Sequence, residues 1–269
     1  MKLRPLTLLL AAVLAASPVF AKDKTKLVLT GSSTIAPLAA EIGKRFESLH
    51  PDVQVDVQSG GSSRGVSDAR SGLADIGMAS RALKEEEKDL FGTVIAKDGI
   101  AVILHTGNPV KALSDEQVKA IYTGAISNWK MVGGKDAPIT VINKAEGRST
   151  LELFLHYFKL KPEEVKASVV IGDNEQGIKT LAGNPDAIAY VSIGSAEFAV
   201  SDGLPIKLLA MNGIAASTVT VKNGTFPLSR PLTLVTKTVP VGLAKTFIDF
   251  AGSPACYDLV KELFFVPLN

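Results

Sequence analysis

The chain has 269 residues, 46% of them hydrophobic and 21% charged, with a formal charge of +2. This composition excludes a disordered or low-complexity chain, and the length suits two small domains or one larger α/β unit. The one cysteine, Cys256, excludes an intramolecular disulfide and reads as a small core residue beside Tyr257, Leu259 and Val260.

The N-terminus reads as a leader. Lys2 and Arg4 precede an apolar run from Leu6 to Ala16, and Ser17-Pro18 breaks it before Val19-Phe20-Ala21. Residues 1–21 are therefore expected to be a signal peptide cut after Ala21, and no later run approaches the roughly 20 apolar residues of a membrane helix. Removing Lys2 and Arg4 leaves 27 basic against 27 acidic residues. The mature chain then has no overall field for nucleic acid or an anionic membrane, and anion selectivity has to be local. With no cysteine at the cleavage site to carry a lipid, the expected location is the periplasm, or outright secretion.

The spacing of apolar residues predicts alternating strands and helices. A strand at Lys26–Thr30 ends in Gly31-Ser32-Ser33-Thr34 and feeds a helix carrying Ile35, Leu38, Ala39, Ile42 and Phe46. A strand at Val53–Val57 leads into Gly60-Gly61-Ser62-Ser63-Arg64-Gly65 and a helix to about Ser71. A strand at Asp75–Ala79 is followed by Ser80-Arg81, and Lys84–Leu90 reads as a helix-prone, solvated charge run. Thr93–Ala96 and Ile100–Leu104 flank Lys97-Asp98-Gly99, which reads as a tight reversal. Ser114 opens a helix with a capping-box pattern. The strand Pro138–Asn143 leads through Glu146-Gly147-Arg148-Ser149-Thr150 into a helix with Leu151, Phe154, Leu155 and Phe158. Val169–Gly172, a helix near Gly177–Ala182 and Ala187–Val191 complete the middle of the chain. Arg230–Thr236 is a strand, Val241–Ala251 a helix, and Ser253-Pro254 opens the last helix. This alternation predicts parallel α/β sheets with ligands bound beyond the carboxyl ends of the strands.

Two chemistries compete for the glycine-rich loop. Gly61-Ser62-Ser63-Arg64-Gly65 fits the G-x-S-x-G pattern of a nucleophile elbow, which makes Ser63 the nucleophile of a secreted esterase. That chemistry needs a histidine base oriented by an acid, but no histidine follows His156, and His50 and His105 sit beside Pro51 and at a strand end. The three histidines and one cysteine are too scattered for a metal cluster, no nucleotide P-loop is present, and no cofactor is expected. An oxyanion site explains more. Three strand–loop–helix units carry Ser33-Thr34, Ser62-Ser63 and Ser149-Thr150, and Ser80-Arg81 lies at a fourth strand end. Helix N-termini and hydroxyls donate hydrogen bonds to an anion, and Arg64, Arg81, Lys144 and Arg148 offer positive charge.

Several of these stretches resemble the periplasmic phosphate-binding proteins of ABC importers. They are Gly31-Ser32-Ser33-Thr34-Ile35-Ala36-Pro37, Gly60-Gly61-Ser62-Ser63-Arg64-Gly65-Val66, Asp75-Ile76-Gly77-Met78-Ala79-Ser80-Arg81, Ile126-Ser127-Asn128-Trp129, Glu146-Gly147-Arg148-Ser149-Thr150, Ala187-Ile188-Ala189-Tyr190-Val191 and Phe265-Val266-Pro267-Leu268. The resemblance runs in order along essentially the whole mature chain. It implies an α/β, two-lobed type II binding-protein fold with two mixed sheets and two hinge crossovers. One lobe would take residues 22–104 and 228–269, the other 105–227. It also implies a monomer that binds inorganic phosphate, catalyses nothing, and delivers its cargo to a membrane permease. By position, the ligand donors fall on Ser33, Thr34, Ser62, Ser63, Ser149 and Thr150. Three positions depart from the family pattern. Ser80 stands where an aspartate often accepts the proton of hydrogen phosphate, Lys144 replaces an arginine, and Arg148 replaces a serine. In place of that aspartate, either Ser80 accepts the proton weakly or Glu146 reaches in, and the strength of discrimination against sulfate does not follow from the resemblance. The same fold carrying another tetrahedral oxyanion such as sulfate is the alternative.

Overall fold

The computed structural model describes residues 24–268, so the expected leader at 1–21 lies outside the described residues. Strands β1 (Thr25–Gly31), β2 (Val53–Ser59) and β3 (Ile76–Ala79) alternate with helices α1 (Ala36–Leu49) and α2 (Ser62–Ser71). A long strand, β4 (Phe91–His105), leads to α3 (Asp115–Tyr122), β5 (Thr140–Lys144), α4 (Ser149–Phe158), β6 (Val169–Ile171) and α5 (Asn174–Ala182). Then come β7 (Ala187–Ser192), α6 (Ile193–Ser201), β8 (Ile206–Leu208) and α7 (Thr218–Lys222). The chain returns through β9 (Ser229–Thr236), α8 (Gly242–Ala251) and α9 (Tyr257–Glu262).

The strands form one path in the order β2-β1-β3-β9-β4-β7-β5-β6, with β8 on β4. Two parallel groups, β2-β1-β3 and β7-β5-β6, are joined by the antiparallel strands β4 and β9. The expected pair of mixed sheets is thus present, but the sheets meet through β4. Its Phe91–Gly99 segment pairs with β9 and its Ile100–Leu104 segment pairs with β7. Each group has its own core. Leu29, Ile42, Phe46, Met78, Leu232 and Phe247 pack in one, and Tyr122, Trp129, Phe154 and Tyr190 in the other. The apolar spacing on α1 is borne out, with Leu38, Ala39, Ile42 and Phe46 all buried. Burying each large side chain of this kind contributes about 1.5–3 kcal/mol. Cys256 is buried in the first core, as its neighbours predicted.

Two local expectations are corrected. Lys97-Asp98-Gly99 is not a reversal, because β4 passes straight through it. Asp98 tolerates a buried strand position because Arg230 neutralises it, at 2.8 Å. Gly99 is packed so closely that an added Cβ would lie 2.6 Å from Ile193. The Lys84–Leu90 segment forms only a single 3-10 turn at Glu85–Glu87. It is not wholly solvated either, since Glu87 is buried and takes two bonds from Arg81, at 2.6 and 2.8 Å.

Candidate functional site

Three chain reversals converge where the parallel groups face each other. At the first, Gly31 ends β1 and Ser32-Ser33-Thr34 turns into α1, with the Ser32 Oγ accepting from the N–H groups of Thr34 and Ile35. At the second, Gly61 precedes α2 with φ at 100°, a conformation open to glycine. Gly65, one turn into α2, backs directly onto the sheet. A Cβ there would lie 2.6 Å from the Thr30 carbonyl, 2.7 Å from the Met78 carbonyl and 2.9 Å from the Gly31 Cα. Both glycines of the G-x-S-x-G pattern therefore have structural work to do, and that work sets the N-terminus of α2 beside the ends of β1 and β3. At the third, Gly147 turns with φ at 75° and α4 begins at Ser149.

These turns and the end of β3 form a small, half-open pocket with about 10 Å3 of free volume. It is lined by Ser32, Ser33, Thr34, Gly61, Ser62, Ser80, Arg148, Ser149 and Thr150. A larger crevice of about 500 Å3 adjoins it at Ser33 and Thr34, between α1, α5 and α6. The crevice is mainly apolar, and the concentration of hydrogen-bond donors is in the small pocket.

The charge behind the pocket comes from Arg230, near the start of β9 and 3% exposed. Its guanidinium donates to the Ser80 Oγ (3.3 Å), the Thr150 Oγ1 (3.0 Å) and the Thr34 Oγ1 (3.3 Å). It also donates twice to the Asp98 Oδ2, at 2.8 and 3.1 Å. Asp98 uses its other oxygen to accept from the Gly194 N–H at 3.2 Å. Asn174, the first residue of α5, donates to the Thr34 Oγ1 at 3.0 Å and accepts from the Lys144 Nζ at 2.8 Å. The Ser62 Oγ accepts from the Ser80 N–H at 3.2 Å.

These bonds leave a pattern. Thr34, Ser62, Ser80 and Thr150 are all buried, and every one of their hydroxyls accepts a hydrogen bond from the protein. None of the four spends its own hydrogen on a described residue. The Ser149 Oγ is buried with no partner at all. A hydroxyl carries one donor hydrogen, and a buried donor left unpaired costs about 1–3 kcal/mol. Several such hydrogens around one pocket call for a ligand that accepts from all of them.

Seven of the ten residues anticipated for the site line the pocket: Ser33, Thr34, Ser62, Ser80, Arg148, Ser149 and Thr150. The other three lie outside its wall. The Ser63 hydroxyl donates to Glu152 at 3.2 Å. Arg81 is held by Glu87 and by Glu152. Lys144 stands behind Asn174, and burial, with Arg230 adding like-charge repulsion, lowers its pKa to about 7. Arg64, also considered as a source of charge, pairs with Asp68 on the surface. None of the three histidines is hydrogen-bonded to Ser63, whose hydroxyl goes to Glu152. His50 stacks on Phe46 and His105 Nδ1 accepts from the Gly107 N–H, while His156 lies on the last turn of α4. Among the described residues no group of acidic, histidine or cysteine side chains could hold a metal ion, and no helix is long and apolar enough to cross a membrane.

Sequence reasoning passed over Arg230, Asp98 and Asn174. The available signal was a lone arginine opening an apolar strand and a lone aspartate between two apolar runs. Each is costly to bury alone and tolerable as a pair.

Comparison with known proteins gives the family. The PBP superfamily domain model matches residues 18–255. The phosphate-binding protein PstS of Bacillus subtilis is 30% identical over 236 residues, which span 86% of this chain and 77% of that protein. A solved chain from Clostridium perfringens, named as a phosphate ABC transporter substrate-binding protein and holding bound phosphate, superposes with a TM-score of 0.84 at 34% identity. The match covers 91% of this chain and 100% of that one. An ABC-type phosphate transport receptor from Vibrio cholerae gives a TM-score of 0.73 at 29% identity, over 89% and 99% of the two chains. The chain belongs to the PBP superfamily and, within it, to the family of PstS phosphate-binding proteins.

Proposed function

We propose that this protein is an exported solute-binding protein that captures inorganic phosphate between its lobes and hands it to the permease of an ABC importer. The observation that carries the reading is the set of four buried hydroxyls that accept but do not donate, three of them accepting from the Arg230 guanidinium and Ser62 from the Ser80 N–H. Phosphate is a compact acceptor for these hydrogens, and the N-termini of α2 and α4 face it with their positive dipole ends. The names of the relatives and the phosphate bound to the Clostridium perfringens chain support the choice of anion.

On this reading one lobe comprises residues 22–104 and 228–269 and the other 105–227. Thr34, Ser62, Ser80 and Arg230 then grip the anion from one side, and Ser149 and Thr150 from the other. The protein acts as a monomer, needs no cofactor and performs no catalysis. Ser63, turned towards Glu152, orders the α2–α4 contact. Residues 1–21 direct export to the periplasm.

Calorimetric titration of ligand-stripped protein with phosphate tests the proposal, with saturable one-to-one binding expected. Thr150→Ala should weaken it by roughly 1.5–3 kcal/mol, the usual worth of a hydrogen bond to a charged group. Absence of binding to wild-type protein, or an unchanged affinity in Thr150→Ala, would place the ligand elsewhere.

A further inference from the structure

The pocket's donors and acceptors can be counted, and the count bears on which anion fits. Hydrogen phosphate carries a proton and so needs an acceptor as well as donors, whereas sulfate needs donors alone. No aspartate or glutamate lines the pocket. Three carboxylates behind its wall are already engaged, and Glu146, on the loop before Arg148, is exposed and not among the lining residues. Asp98 takes two bonds from Arg230 on one oxygen and one from the Gly194 N–H on the other. Glu87 takes Arg81 and the Lys84 N–H. Glu152 takes Ser63 and lies against Arg81 and Lys84.

The hydroxyl oxygens are poor substitutes. Thr34 Oγ1 already accepts from both Asn174 and Arg230, which uses both of its lone pairs. Ser80 and Thr150 each retain a lone pair, but both oxygens accept from a guanidinium that draws electron density away from them. Ser62 accepts from the Ser80 N–H. The Ser149 Oγ has no partner and keeps both lone pairs, but a neutral hydroxyl accepts more weakly than a carboxylate. The wall thus offers several hydrogens and no carboxylate acceptor.

We infer that this pocket selects by charge and tetrahedral shape and not by the ligand's proton, so that its substrate class is the tetrahedral oxyanion dianion and sulfate is a ligand alongside phosphate. The inference rests on the oxyanion reading above. A site built to accept a ligand proton rejects an analogue that lacks it by several orders of magnitude, because the buried acceptor is stranded. No carboxylate lines this site to be stranded, and the proton of hydrogen phosphate meets only neutral hydroxyls.

The test is calorimetry of ligand-stripped protein with sodium sulfate and with sodium phosphate, at constant ionic strength and about pH 8, where phosphate is mainly the dianion. The affinities are expected to agree within about tenfold, and sulfate should displace bound phosphate competitively. Ser80→Asp supplies the missing acceptor and should widen the phosphate-to-sulfate ratio by more than about tenfold, chiefly through loss of sulfate. Phosphate bound more than about 100-fold tighter than sulfate by wild-type protein would overturn the inference and leave the phosphate reading intact. An unchanged ratio in a folded Ser80→Asp protein would do the same. Failure of both anions to bind would overturn both.

Discussion

Arg230 and Lys144 show how burial divides the work of two cations that lie close together. Arg230 keeps its charge because Asp98 lies against it and three hydroxyls take its remaining hydrogens. Among the described residues the Lys144 ammonium donates to the Asn174 carbonyl alone, and burial lowers its pKa to about 7, with repulsion from Arg230 and Arg148 partly offset by Asp173. Between about 7 and the ordinary value of 10.5, the unfolded chain holds a proton on Lys144 that the folded chain lacks. Raising the pH through that window removes the proton from the unfolded state and favours the folded one. Below about 7 both states hold it, and the cost of burying the charge is fully present. Denaturant unfolding of ligand-free protein at about pH 7 and about pH 9.5 should therefore show wild type gaining stability relative to Lys144→Gln as pH rises. Parallel pH profiles for the two proteins would contradict this. These residues were only partly legible in the sequence. Ser and Thr in the loops announced themselves, because helix starts favour them and anions use them. Arg230 and Asp98 did not, because a charge inside a strand has meaning only with its partner, and the two are far apart in the chain.

At the level of elements, the strand–loop–helix units were legible because their apolar spacing and glycines are local signals. β1 with α1 and β2 with α2 fall close to where the periodicity put them. What did not read through was the straight course of β4. Lys97-Asp98-Gly99 has turn chemistry, and the tertiary pairing with β9 overrides it. The G-x-S-x-G pattern misled in a related way, since its glycines answer to packing. Gly65 touches backbone on three sides, from Thr30, Gly31 and Met78, so an alanine there has no flexible side chain to push aside. Gly65→Ala should lift α2 off the sheet and cost about 2–3 kcal/mol of stability, at the upper end for overpacking. Because α2 brings Ser62 to the pocket, phosphate affinity should fall with stability, measurable by thermal melts with and without the anion. A stable variant with unchanged affinity would show that the close approach of α2 to the sheet does not position the pocket.

At the level of the whole molecule, the two core-bearing halves meet through more than the pocket. Glu152, on α4, reaches across to the other half, where the Ser63 hydroxyl donates to one carboxylate oxygen at 3.2 Å. Arg81 and Lys84 lie 3.2 and 3.1 Å from the other oxygen. The Ser63 N–H also donates to the Gly147 carbonyl across the same seam, at 3.2 Å. The pocket hydroxyls line the proposed anion site, whereas Glu152 lies outside its wall. If the two lobes close on the anion as proposed, the Glu152 contacts weight that closure without touching the ligand, and apparent affinity scales with the closed fraction. The Glu152 side chain is 26% exposed, so solvent screens part of the attraction, and its worth is of the order of 1 kcal/mol. Glu152→Gln keeps the shape and the bond from Ser63 but removes the charge. It should weaken phosphate binding by about three- to tenfold and reduce the salt dependence of the affinity. The melting temperature should stay nearly unchanged, since Arg81 keeps its buried partner Glu87. Small-angle scattering of the ligand-free variant should show a larger radius of gyration than wild type. If affinity and scattering both match wild type, closure is governed by the pocket alone, and the Glu152 cluster merely fills the seam.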